Sequence, residues 1–237
     1  MTESPADPGR SDLPVAFSDP VYLAAVIDLL GAIAYGEMSA FERLSEDAKM
    51  APSLRDKAEL ARMATTEFGH FEGLRHRLTA LGADPFAAMD AFVEPFDAFH
   101  VRTAPADWLE GLVKAYVGDA LAADFYREIA AFLDAETRTL IVDSLADAGQ
   151  SAFVVDRVRS AIVADPRVAG RLALWGRRLM GEALSQAQRV AAERDALSAL
   201  LAGGVDRPGM DLAAIGRLFT RLTDNHSKRM ETLGLSA

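Results

Sequence analysis

Four acidic residues, Glu37, Glu67, Asp119 and Asp147, each interrupt a stripe of residues at helical spacing, and His70 follows Glu67 by one turn. One and two turns from Glu37 lie Leu30, Ile33, Ala34, Phe41 and Leu44, so its carboxylate shares the face that a helix turns to the core. The same offsets from Glu67 give Leu60, Met63, Ala64, His70, Phe71 and Leu74, placing carboxylate and imidazole on one apolar face as Glu-x-x-His. Asp119 sits among Leu112, Ala115, Tyr116, Ala122, Ala123 and Tyr126. Asp147 has a smaller, more polar stripe, Leu140, Asp143, Ser144, Gln150, Ser151 and Val154, which suits a cavity wall or a face in water. A buried carboxylate is costly unless it is paired or bound to a cation. Four of them in phase with apolar stripes point to one shared ligand, most simply a pair of metal ions.

The spacing repeats. Thirty residues separate Glu37 from Glu67 and twenty-eight separate Asp119 from Asp147, as if two helical hairpins carried acids at matching heights. In four-helix carboxylate proteins, two helices each give a Glu and the other two each give Glu-x-x-His. The first half here is complete, whereas the second reads Asp119 and then Asp147-Ala-Gly-Gln150. A carboxamide is a weaker metal ligand than an imidazole, and Asp reaches one methylene less far than Glu. The expected ligand set is therefore Glu37, Glu67, His70, Asp119, Asp147 and Gln150. It holds two ions if intact, and one or none if Gln150 disables the second position.

The elements that must position these groups are helices. Asp19-Pro20 opens a first helix reaching about Ala48, Pro52-Ser53 a second ending at Gly82, and Asp107 a third reaching Leu133. A fourth is expected from Asp134 to Ala164. The stretch from Gly82 to Asp107, with Pro85, Pro95, Pro105 and four phenylalanines, is too long for a tight turn and reads as a crossover with a short helix. Asp165-Pro166 starts a fifth helix to Leu201, Gly203-Gly204 ends it, and a sixth runs from about Asp211 to Leu233. These last two are expected to cover the bundle or build a dimer face. The fold class predicted is all-α: a four-helix bundle with a long crossover between helices two and three and two additional C-terminal helices. Residues 1–18 are expected to form a flexible tail, 19–202 the bundle with its fifth helix, and 203–237 a linker and final helix.

Half of the 237 residues are apolar, enough for one large core. The chain has no cysteine, which excludes thiolate ligands and nucleophiles and fits a reducing, cytoplasmic setting. No segment offers about 18 consecutive uncharged apolar residues, so no membrane partner is expected. A net charge of −10 disfavours polyanions, although eight arginines gather between Arg157 and Arg194. His76, His100 and His226 read as surface or loop residues, with His100 notable for bordering the crossover. Tyr35, Tyr116 and Tyr126 lie near the acid faces, packed in the core with satisfied hydroxyls or serving a ligand.

Tyr35-Gly36-Glu37, Glu67-Phe68-Gly69-His70-Phe71-Glu72 and Ala115-Tyr116-Val117-Gly118-Asp119 resemble segments of the ferritin-like superfamily, in the branch of tRNA-(2-methylthio-N6-isopentenyladenosine) hydroxylases. The likeness spans about residues 19 to 200. It implies a non-haem di-iron site in which Glu37, Glu67 and His70 match one half, while Asp119, Asp147 and Gln150 depart from the Glu, Glu and His of the other. It further implies dioxygen activation, hydroxylation of a modified adenosine in tRNA, and an external electron donor. The competing expectation is a ferritin-like binding or scaffold protein with a degraded, metal-poor site; a third is iron handling without an organic substrate.

Overall fold

The computed structural model describes residues 15–145, 150–202 and 212–237. Within them the regular structure is entirely helical. The helices are α1 (Pro20–Asp47), α2 (Leu54–Ala80), α3 (Pro85–Arg102), α4 (Trp108–Ala130), α5 (Ala135–Ser144), α6 (Gln150–Ala164), α7 (Arg167–Glu193), α8 (Asp195–Ala202) and α9 (Leu212–Leu233). Five starts are fixed by a side chain that accepts from a backbone N–H left without an intrahelical partner. Asp19 accepts from Val21, Ser53 from Asp56, Asp84 from Phe86, Asp107 from Glu110 and Asp134 from Thr137, at 2.9–3.1 Å. Pro20 and Pro85 occupy the first turns of α1 and α3, where a missing N–H costs nothing.

Three boundaries differ from expectation. The crossover holds an 18-residue helix, α3, which continues through the buried Pro95. The expected fourth helix is capped after Ser144 and is helical again from Gln150, with residues 146–149 outside the described ones. The fifth breaks at Arg194, whose backbone is extended (φ −118°, ψ 90°). Neither Gly nor Pro marks that break. Arg194 instead pairs with Asp28 through Nε at 3.1 Å and lies 5.5 Å from the Phe92 ring centre, tying the turn between α7 and α8 to α1 and α3. Of the expected tail, Val15–Ser18 forms a 3-10 turn whose Phe17 is buried against Tyr22.

α1 packs chiefly against α2 and α3, and α4 against α7, with α5, α6 and α9 beside α4. One 18-residue window of α1 is apolar enough to cross a membrane, yet 56% of it is buried inside the bundle, as befits a core helix. Two apolar clusters result. One joins the N-terminal half of α1 to the C-terminal half of α2, with Leu30, Ile33, Leu74 and Phe92. The other joins the opposite halves, with Leu44, Leu60, Leu112 and Leu179. α9 is held to the second by Leu222 and Met230 and by ion pairs from Arg229 to Asp124 and Arg221 to Glu128.

The α1–α3 contact depends on Gly31, where a Cβ would fall against the backbone carbonyl of Ala88. A backbone atom cannot rotate away, so the helices would have to separate. Gly31→Ala is expected to destabilise the fold by about 1–3 kcal/mol despite the better helix propensity of Ala. Denaturant unfolding measures it, and a neutral or stabilising result would show that the two helices part without cost.

Candidate metal centre

The seam between the two clusters is polar. On α1 it falls between Ala34 and Leu44, and on α2 between Ala64 and Phe71, which places Glu37, Glu67 and His70 there. Glu37 is 8% exposed and Glu67 6%, while His70 is partly buried. One ligand atom from each lies within 4.8 Å of the others. His70 Nδ1 is 3.5 Å from Oε2 of Glu37 and 3.5 Å from Oε2 of Glu67. Those separations are long for hydrogen bonds, and Nδ1 is buried without a hydrogen-bond partner. They are instead close to the edge of a coordination shell, since donors bound at about 2.0–2.2 Å to one ion stand roughly 3–3.5 Å apart. Two carboxylates and a neutral imidazole suit a divalent first-row metal. The group therefore fits a metal ion.

Without metal, the imidazole itself is the cation. The Glu37 carboxylate, and then that of Glu67, raise the His70 pKa to about 10, against the opposing effect of burial. Burial in turn holds the Glu37 carboxyl well above the usual carboxylate range, and Glu67 beside it adds to the rise.

These donors stand on the wall of a cavity of about 310 Å3. Leu29, Ile33, Phe92, Phe96, Tyr126 and Leu197 make much of it apolar. Asp119 lines the same cavity but is exposed, in contrast to the buried position its stripe suggested. Leu112, Ala123 and Tyr126 of the same stripe are buried in the core, whereas at Asp119 the stripe borders the cavity. Asp147 lies outside the described residues. Gln150 is placed only as the first residue of α6. The first half of the expected site is thus assembled, and of the second half Asp119, the one whose side chain is described, lines the same chamber.

Tyr126 lies on this wall with its hydroxyl near α1, since a Cβ on Gly36 would come within 3.5 Å of it. Burial, then the charges of Glu37 and Asp119, push its pKa upward. Tyr35 turns aside to donate to Asp97 at 3.0 Å. Two histidines differ from expectation: His226 is 4% exposed with both ring nitrogens unpartnered, and His100 lines the cavity. His76 is exposed, as expected. Beyond cover, α7 and α8 supply Gln186, Ala187, Val190 and Leu197 to the cavity wall. Their small and aliphatic residues look the same in sequence whether they meet a helix or a void.

The model of the family described as ferritin-like domain, actinomycetes, matches residues 20–204, and the chain belongs to that family. No curated protein matches it.

Proposed function

We propose that this ferritin-like protein is a non-haem iron hydroxylase acting on an apolar organic substrate. The observation that carries the reading is the placement of the buried Glu37, Glu67 and His70 on the wall of a largely apolar chamber, where a bound ion would face a ligand. A store for iron alone has no use for such a chamber. Iron bound there would supply dioxygen activation, with one oxygen atom entering a substrate C–H bond and the other leaving as water at the expense of two electrons and two protons from an external donor. Glu37, Glu67 and His70 would hold the ion. The apolar walls would exclude water, and Tyr126 would set the approach of substrate to Glu37.

A small substrate has more support than tRNA. The α7 arginines that a polyanion would need are already engaged: Arg171 with Asp107 and Glu110, Arg189 with Glu94 and Glu193, and Arg178 with the Arg102 carbonyl. The alternative is the metal-poor scaffold, favoured by Gln150 in place of a histidine.

Anaerobic reconstitution with Fe(II), followed by desalting and iron analysis, decides between them. The wild-type protein is expected to retain about one ion, because only the first half offers two carboxylates and an imidazole, and Gln150→His should raise the number toward two. Iron in neither protein would overturn the hydroxylase reading and leave the scaffold.

A further inference from the structure

We infer that the cavity takes an amphiphile with a carboxylate head and an apolar chain, its head seated on Arg43, Lys114 and His100 and its chain passing Glu37 toward Leu29 and Leu197. This names the substrate class of the proposed hydroxylase and rests on that reading only for the meaning of the chain's path past the metal donors.

The cavity has two unlike ends. Toward the N-terminus of α1 it is walled by Leu29, Ile33, Phe92, Ile129, Val190 and Leu197. At the C-terminal end of the same helix stand Arg43 and Asp47, faced by His100 of α3 and Lys114 of α4, and there it adjoins a recess reaching Met50 and Pro105. Along α1, Leu29 and Asp47 are about 27 Å apart by the helical rise. The chamber is therefore long and polar at one end.

The polar end holds the carboxylates of Glu46 and Asp47, yet not all of its N–H groups are taken up. Lys114 is 6% exposed, and its ammonium, which has three N–H donors, gives one hydrogen bond, 2.8 Å to the Thr103 carbonyl, while lying 5.6 Å from the Phe99 ring centre. Arg43 pairs with Glu46 through Nη1 at 2.9 Å, yet its Nε is buried with no hydrogen-bond partner. His100 Nδ1 is likewise buried and unpartnered. Unsatisfied buried donors are costly, and a carboxylate could accept from the Lys114 ammonium and the Arg43 guanidinium, and from His100 in the tautomer that turns an N–H toward it. Charge points the same way: among the described residues lining this recess, Arg43, Lys49 and Lys114 outnumber Glu46 and Asp47. Glu37 lies six residues before Arg43, about 9 Å along α1, so the donors would meet methylenes and leave the head out of reach.

Calorimetric titration of the full-length protein at pH 7 with dodecanoic acid and with 1-dodecanol tests this, with iron content measured on the same sample. Dodecanoate is expected to bind at least about tenfold more tightly than the alcohol, the size of a charge-assisted hydrogen bond. Lys114→Met should abolish that preference while changing dodecanol binding less than about threefold, so that dodecanol reports an intact chamber. Arg43→Gln should reduce it in the same direction. Equal affinity for acid and alcohol, a preference untouched in both variants, or no binding of either would overturn the inference. Iron retained without dodecanoate binding would remove the amphiphile and leave the metal centre. Dodecanoate binding without iron would do the reverse.

Discussion

In metal-free protein, Glu67→Leu will raise the thermal midpoint by about 3–6 °C and His70→Leu will lower it by roughly twice as much. The opposite signs follow from the charges. Glu37, Glu67 and His70 form a buried group in which two carboxylates share one imidazolium. Removing Glu67 leaves Glu37 and His70 as a balanced pair and replaces a desolvated anion with an apolar side chain, a change worth about 1–2 kcal/mol in favour of the fold. Removing His70 leaves two carboxylates without their cation, which costs about 3 kcal/mol even if one of them takes up a proton. If these residues were ordinary core polar groups, both leucines would shift the midpoint the same way. Metal reverses the ranking: at a hundredfold excess over its dissociation constant, an ion stabilises the wild type by about 2.7 kcal/mol and neither variant appreciably. Thermal scans with chelator and with Mn(II), on the three proteins, measure both effects.

That stability should rise on losing Glu67 is the usual mark of a group kept for binding, and its legibility in the sequence has the same origin. A carboxylate in phase with Leu30, Ile33, Ala34 and Leu44 is a local contradiction, and it is visible because the surrounding stripe is so regular. Helical phase turns Glu37, Glu67 and His70 inward together, since α1 and α2 are continuous runs with caps at Asp19 and Ser53 and no break near the acids. It misjudged the burial of Asp119, because helical phase reports which side of α4 faces inward and says nothing of whether that side meets atoms or a void. The breaks after Ser144 and at Arg194 were hidden for a different reason. A lone Gly149 inside an otherwise helical pattern is a weak mark of the first, and the second has no Gly or Pro and is stabilised by Asp28 and Phe92, more than a hundred residues away in sequence. The chamber itself depends on α3 and α8 closing over α1 and on α7 packing across α4 and α3, a tertiary arrangement with no local signature.

The layout also explains why the polar seam is tolerated. Two apolar clusters lie above and below it, each with fully buried leucines, so the cost of the donors falls on one layer of the bundle. Gly36 thins α1 at that layer, with Phe96 3.1 Å from where its Cβ would be. A larger residue at position 36 would press on Phe96 and Tyr126 together and narrow the chamber beside Glu37.

Metal affinity is expected to rise about tenfold for each pH unit between pH 6 and 8, while the metal-free fold weakens over the same interval and beyond. His70 must offer Nδ1 as a neutral ligand, but with its pKa near 10 it is protonated throughout that range, so binding one ion releases at least one proton. Glu37, also held above its ordinary value, adds to the release wherever it is still protonated. For the metal-free protein the sign is opposite. A histidine raised from 6.5 to about 10 contributes its full stabilisation below pH 6.5 and loses it as pH climbs through 10. The raised carboxyl of Glu37 acts in the same direction, since folding favours its protonated form. Midpoints measured across this range should therefore fall with chelator and, relative to that curve, gain increasingly with Mn(II). Calorimetry of Mn(II) binding in two buffers of different ionisation enthalpy counts the protons directly. Binding without proton release, or a metal-free midpoint that rises from pH 6.5 to 9, would mean that His70 is not the cation shared by the two carboxylates.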